Sequence, residues 1–152
     1  MEIIRRRQLD DALTHDYRQY LTGHLGRPQP FLKHIDDDTE IGMSFYREFR
    51  SDTPHVHPVC TEHAYILEGM IRLRLLDGSG EEYELHPGDF FVLPPNTPYV
   101  TKNAPGTRVL FIKAPGRNDK TLVEPDAETL AWMRAWDTEP LNRGNTDEKT
   151  AD

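Results

Sequence analysis

Between Pro28 and Gly116 the chain is a succession of short alternating apolar and polar runs, cut by Gly, Pro, Asn and Asp, and this texture excludes most folds. Successive side chains of a strand point to opposite faces, so a period of two marks strands with one face buried. Strands are predicted over residues 31–35, 41–50, 55–57, 62–68, 71–76, 81–85, 89–93, 98–102 and 108–113. The segment LLDGSGEEY holds the clearest hairpin, because Asp77, Gly78 and Gly80 tolerate the positive φ of tight loops. Many short strands in such a span make a sandwich or a barrel, and a barrel of this size has room for one small ligand.

The flanks differ. Leu9, Ala12, Leu13, Tyr17, Tyr20 and Leu21 recur at steps of three and four, which predicts a helix over 9–21 stopped by Gly23. After Pro125, the run DAETLAWMRAW predicts a short helix N-capped by Asp126 that packs on the barrel. From Asp137 onward almost no apolar residue remains, and such a segment cannot offset its ordering entropy. The predicted organisation is an N-terminal helical extension over 1–27, a β-barrel over 28–116, a helical segment over 117–136 and a disordered tail over 137–152.

Charge narrows the partners. With 26 acidic residues against 18 basic ones the chain carries a net −8, which repels nucleic acid and anionic membrane surfaces. No apolar stretch approaches the roughly 20 residues that cross a bilayer. The lone Cys60 cannot form an internal disulfide, and the N-terminus lacks the apolar core of a signal peptide, so a cytoplasmic location is expected.

Chemistry concentrates in PHVHPVCTEHAYILEG. His55 and His57 stand two apart on a predicted strand, so both imidazoles face one side. Two imidazoles suit a first-row transition metal but need a third ligand. Glu62 follows the turn at Pro58 and supplies a carboxylate, completing a two-histidine, one-carboxylate face with open coordination positions. His63 competes with Glu62, and strand alternation admits only one of them inward. Cys60 reads as a packing residue. His15, His24, His34 and His86 stand alone and read as surface histidines, while Arg72, Arg74 and Arg108 have the texture of a solvated outer face.

The pattern His55-x-His57-x4-Glu62-x6-Gly69 resembles the first cupin motif, and LHPGDFFVLPPNTPYVTKN, with Pro87, Gly88, Asp89, Pro94 and Asn103, resembles the second. The likeness covers residues 40–113 and implies a small single-domain cupin. Its fold would be all-β, a double-stranded β-helix or jelly-roll barrel with short N- and C-terminal helices. Two departures stand out: Phe49 replaces the glycine that opens the first motif, and Tyr99 replaces the histidine that is usually the fourth ligand.

Tyr99 admits three readings. As a ligand it would have to ionise, which a nearby cation favours. As a neutral phenol it would donate a hydrogen bond or a proton to substrate, acting as a catalytic acid or base. Otherwise it is a packed ring with a hydrogen-bonded hydroxyl.

The resemblance implies one divalent transition metal held by His55, His57 and Glu62, Fe(II) before Mn, Ni, Cu or Zn. It further implies a metal-dependent enzyme acting on a small organic substrate in the barrel mouth, an iron-dependent dioxygenase ahead of an isomerase or lyase. The alternatives are a non-catalytic cupin that binds a sugar or other small molecule, and a metal-free epimerase. A homodimer is expected, since an open barrel leaves strand edges to cover, with the segment near Ile3 and Ile4 as a candidate exchanged strand.

Overall fold

The computed structural model describes residues 3–24, 28–31 and 33–136. Helix α1 (Arg6–His15) leads into β1 (Arg18–Thr22), and β2 (Glu40–Tyr46) and β3 (Arg50–Ser51) follow. The central strands are β4 (His55–Val56), β5 (Thr61–Glu68), β6 (Ile71–Leu75), β7 (Glu82–Leu85), β8 (Phe90–Leu93) and β9 (Tyr99–Asn103). The chain closes with β10 (Thr107–Ala114), β11 (Thr121–Leu122) and α2 (Ala127–Arg134). The expected tail over 137–152 lies outside the described residues.

The strands form two antiparallel sheets, β1-β2-β10-β5-β8 and β11-β4-β9-β6-β7, with β3 paired to β9 at the side. Consecutive strands repeatedly cross from one sheet to the other, as in a jelly roll. Between the sheets lies an apolar layer of Tyr46, Ala64, Ile66, Ile71 and Val109, joined by Leu73, Leu93 and Tyr99. The alternation continues along β2, β10 and β5 into a charged row, because Glu40 pairs with Lys113 and Lys113 with Glu62 in the strand register. One end of the interior is therefore a hydrocarbon floor and the other an array of ionisable groups.

Gly69 turns β5 into β6 at φ +81°, where a Cβ would lie 2.5 Å from Thr107 Cα. The motif glycine is thus required both by its left-handed backbone and by close approach of β10.

Four expectations need correction. The helix read over 9–21 covers only Arg6–His15, and residues 18–22 of the expected helical extension are strand β1. Tyr17, Tyr20 and Leu21 fit a helical stripe, yet pairing of Arg18 with Ser44 and Tyr20 with Gly42 extends the sheet instead, and tertiary pairing outweighs local pattern. The strand expected over 31–35 reduces to one bridge between Thr22 and His34. Ile3 and Ile4 lie in irregular chain before α1 rather than in a strand.

Arg72 and Arg74, read as solvated, are buried. Helix α2 lies over Arg74 and Lys102 on the outer face of β6 and β9, its Glu128 pairing with Arg74, while Arg72 is answered by Glu84 of the neighbouring β7 at 3.1 Å. Lys102, 1% exposed, anchors this helix. Its ammonium donates to the Trp132 and Ala135 carbonyls at 2.9 and 2.7 Å and sits 4.1 Å from the Trp132 ring centroid, so a cation caps the negative end of the helix. Asp126 caps the other end as expected, accepting from the Thr129 N–H at 2.7 Å.

Candidate metal centre

His55 stands on β4, His57 just beyond it, Glu62 near the start of β5, and Tyr99 opens β9 directly across from His55. The four side chains therefore come from both sheets and meet between them. Donor atoms of His55, His57 and Glu62 all lie within 4.8 Å of one another. Glu62 faces the His57 ring, while the His63 ring stacks on Phe90 at 6.0 Å.

Each imidazole is held from behind. His55 Nδ1 lies 2.7 Å from the Thr53 carbonyl oxygen and His57 Nδ1 2.6 Å from Asp119 Oδ1. With those nitrogens carrying the proton, both neutral rings present a bare Nε2 to the interior, the outer-sphere arrangement that metal-binding histidines use. His57 Nε2 is 3.3 Å from Glu62 Oε2. The two rings stand edge-on at 88° with centroids 5.2 Å apart, so their lone pairs converge without stacking.

Asp119 was not legible in the sequence. It lies 62 residues after His57, in an irregular segment between β10 and β11 whose letters carry no motif. Its second oxygen accepts the backbone N–H groups of Val59 and Cys60 at 2.8 and 2.9 Å. One carboxylate thus fixes both the His57 ring and the turn linking the ligand strands. Burial opposes its charge, yet these hydrogen bonds keep it well below the ordinary aspartate range.

Electrostatics favour the ligand forms of two groups. Burial, reinforced by the Lys120 ammonium, lowers His55 to about 4. Glu62 is buried, but the adjoining His57 imidazole and the hydrogen bond from Tyr99 hold it at about 2. His57 is the exception: burial opposes protonation, while the carboxylates of Glu62 and Asp119 outweigh it and raise its pKa above the usual histidine value.

Tyr99 donates its hydroxyl proton to Glu62 Oε2 at 2.6 Å. Burial, and next the Glu62 charge, lift its pKa well above that of a free phenol, so the group is a neutral donor in this arrangement. Cys60 stays out of the constellation. Its thiol donates to the Pro115 and Arg117 carbonyls at 2.9 and 3.2 Å, and burial pushes it up to about 11, so it offers no thiolate near neutrality.

The donor set fits a metal. Two oriented imidazoles and an ionised carboxylate on one side are the ligand chemistry of a divalent transition ion with open positions. Among the described residues no helix is long and apolar enough to cross a membrane.

Residues 47–113 match the family profile described as the cupin domain. No curated protein sequence matches the chain. Among solved structures it is similar to a Klebsiella pneumoniae protein with a double-stranded β-helix domain, at 21% identity and TM-score 0.53, over 59% of this chain and 78% of that one. KdgF from a Halomonas species matches at 25% identity and TM-score 0.51, over 64% and 88% respectively. The polyketide cyclase RemF from Streptomyces resistomycificus matches at 24% identity and TM-score 0.53, over 66% and 70%. The two sheets, the motif residues and the matched stretch together give residues 47–113 the character of a cupin domain on a double-stranded β-helix fold.

Proposed function

We propose that the protein is a metal-dependent enzyme acting on a small organic substrate between the two sheets, with His55, His57 and Glu62 as the metal ligands. The observation that carries this reading is the backing of both imidazoles at Nδ1, by Thr53 and by Asp119, which aims their two Nε2 atoms at one carboxylate. A polar cluster without metal would need no such alignment, and burying it would be costly. When bound, a divalent ion at this triad supplies Lewis acidity and open positions for substrate.

The finer form of the reading is an iron-dependent dioxygenase, supported by the two-histidine, one-carboxylate face. A non-oxidative lyase or isomerase is favoured instead by Tyr99, whose hydroxyl beside Glu62 is a proton donor in a buried site. Oxygen uptake by the Fe(II)-loaded protein on addition of substrate candidates separates them: consumption supports the first, turnover without consumption the second.

The test of the whole reading is metal content after purification without a histidine tag. About one ion per chain, lost in His57→Ala, supports it. A protein that stays empty when offered iron, manganese, nickel and zinc overturns it. The proposed assembly is a homodimer, supported by the exposed Phe90 and Val92 on edge strand β8, and a monomer by light scattering would refute it.

A further inference from the structure

Three charged residues stand in one row across the first sheet. In the strand register Glu40 of β2 is opposite Lys113 of β10, and Lys113 is in turn opposite Glu62 of β5. Side chains directly opposite in an antiparallel ladder lie on the same face, with Cβ atoms about 5 Å apart. Lys113 therefore stands between two carboxylates, and one of the two is a ligand of the candidate metal centre.

The ammonium has taken Glu40. Among the described residues this is the one ion pair that Lys113 makes, while Glu62 is left to the His57 imidazole at 3.3 Å and the Tyr99 hydroxyl at 2.6 Å. The pair is shut away from water: Glu40 is 0% exposed and Lys113 7%. A glycine closes over the carboxylate stem, since a Cβ on Gly23, already at φ +128°, would lie 3.1 Å from Glu40 Cγ. Glu40 Oε2 is buried without a hydrogen-bond partner, so Lys113 alone answers this carboxylate.

A carboxylate buried so completely and matched by a single cation adds little stability, because desolvation offsets the attraction. Its effect is on where the lysine goes. Without the Glu40 charge, the Lys113 ammonium becomes a buried cation with one other carboxylate directly opposite, that of Glu62. An unpaired buried charge is far more unfavourable than a paired one, so the ammonium swings to Glu62 and occupies the oxygen that a metal needs. Its charge at that distance also repels a divalent ion.

We propose that Glu40 is a positioning residue of the metal centre: it holds the Lys113 ammonium away from Glu62 and so keeps that carboxylate free for a metal ion. The inference rests on the metal reading above and adds to it a residue two strands away from the ligand it protects.

The experiment uses the full chain with Co(II) alone as the probe. Affinity is read by competition with a chromophoric chelator, and folding by urea unfolding of the metal-free protein. Native protein, Glu40→Gln and the double variant Glu40→Gln/Lys113→Met are compared. The expected result is Co(II) affinity about tenfold lower in Glu40→Gln, and a return to within about threefold of native in the double variant, where no ammonium remains to compete. The recovery tells positioning from packing, because a loss caused by damaged packing would deepen when a second buried group is replaced. Native or higher affinity in Glu40→Gln, or a double variant that binds no more tightly than the single one, overturns this proposal and leaves the metal reading standing. A Glu40→Gln chain that does not fold while the double variant does overturns it too, since the freed ammonium has then found no carboxylate. Failure of both to fold makes Glu40 a residue of the fold alone and overturns it as well. Native protein that takes up no Co(II) overturns the metal reading and this one with it.

Discussion

The Tyr99 hydroxyl donates to the Glu62 carboxylate at 2.6 Å, joining β9 of one sheet to β5 of the other across the interior. The residue that stands where a fourth histidine would be is bonded to a ligand candidate. Tyr99→Phe is expected to keep about one metal per chain and to destabilise the metal-free protein by about 1–2 kcal/mol, since a buried carboxylate loses a donor. Metal content and urea unfolding check this, and loss of metal would instead make the phenol a ligand.

Asp119→Asn keeps the side-chain shape and removes the charge that holds the His57 ring and two amides. Metal affinity is expected to fall by roughly 10–100-fold, the usual effect of losing an outer partner of a histidine ligand. Competition with a chromophoric chelator measures it, and an unchanged affinity would mean that the ring is positioned by other contacts.

Metal uptake should weaken with acid in a specific way. A ligand must be deprotonated to bind, so every ligand that gains a proton as pH falls subtracts from affinity. His55 stays neutral down to about 4 and Glu62 stays ionised down to about 2. His57, raised above the usual histidine value, protonates first. Between pH 6 and pH 5 affinity should therefore drop about tenfold per unit, the slope of one proton rather than two. Chelator competition at several pH values reads the slope, and a slope of two would place His55 among the protonated groups.

Lys102→Met replaces a fully buried ammonium that caps α2. The Trp132 and Ala135 carbonyls lose their donor, and a cost of about 2 kcal/mol is expected. Trp132 and Trp136 report directly through fluorescence during denaturant unfolding.

Gly69→Ala forces a Cβ into the Thr107 backbone at a positive φ. A loss of roughly 2–3 kcal/mol is expected, seen as a lowered Tm, while Gly78→Ala, whose Cβ meets nothing within 4 Å, should cost less.

Much of the barrel was legible because strands such as β2 and β10 bury every second residue, and such a strand writes its geometry into a period of two. β1 was hidden because its aromatic spacing also satisfies a helix, and only its partner β2 decides between them. β3 and β11 are two residues long and leave no pattern. Alternation admits only one of Glu62 and His63 inward, and the six-residue gap to Gly69 pointed to Glu62. The backing of the imidazoles did not, because Asp119 and the Thr53 carbonyl are fixed by where the chain returns. Arg74 was misread for a similar reason: a strand's outer face looks solvated until the location of α2 is known.

The carboxylate of Asp119 belongs to an irregular strap, yet it grips a ring in the barrel interior and the turn at Val59 and Cys60 together. Changes anywhere along residues 115–120 can therefore retune a ligand without altering a single barrel strand. For a lineage of such chains, that strap would be the cheapest dial for drifting from one metal, or one reaction, to another.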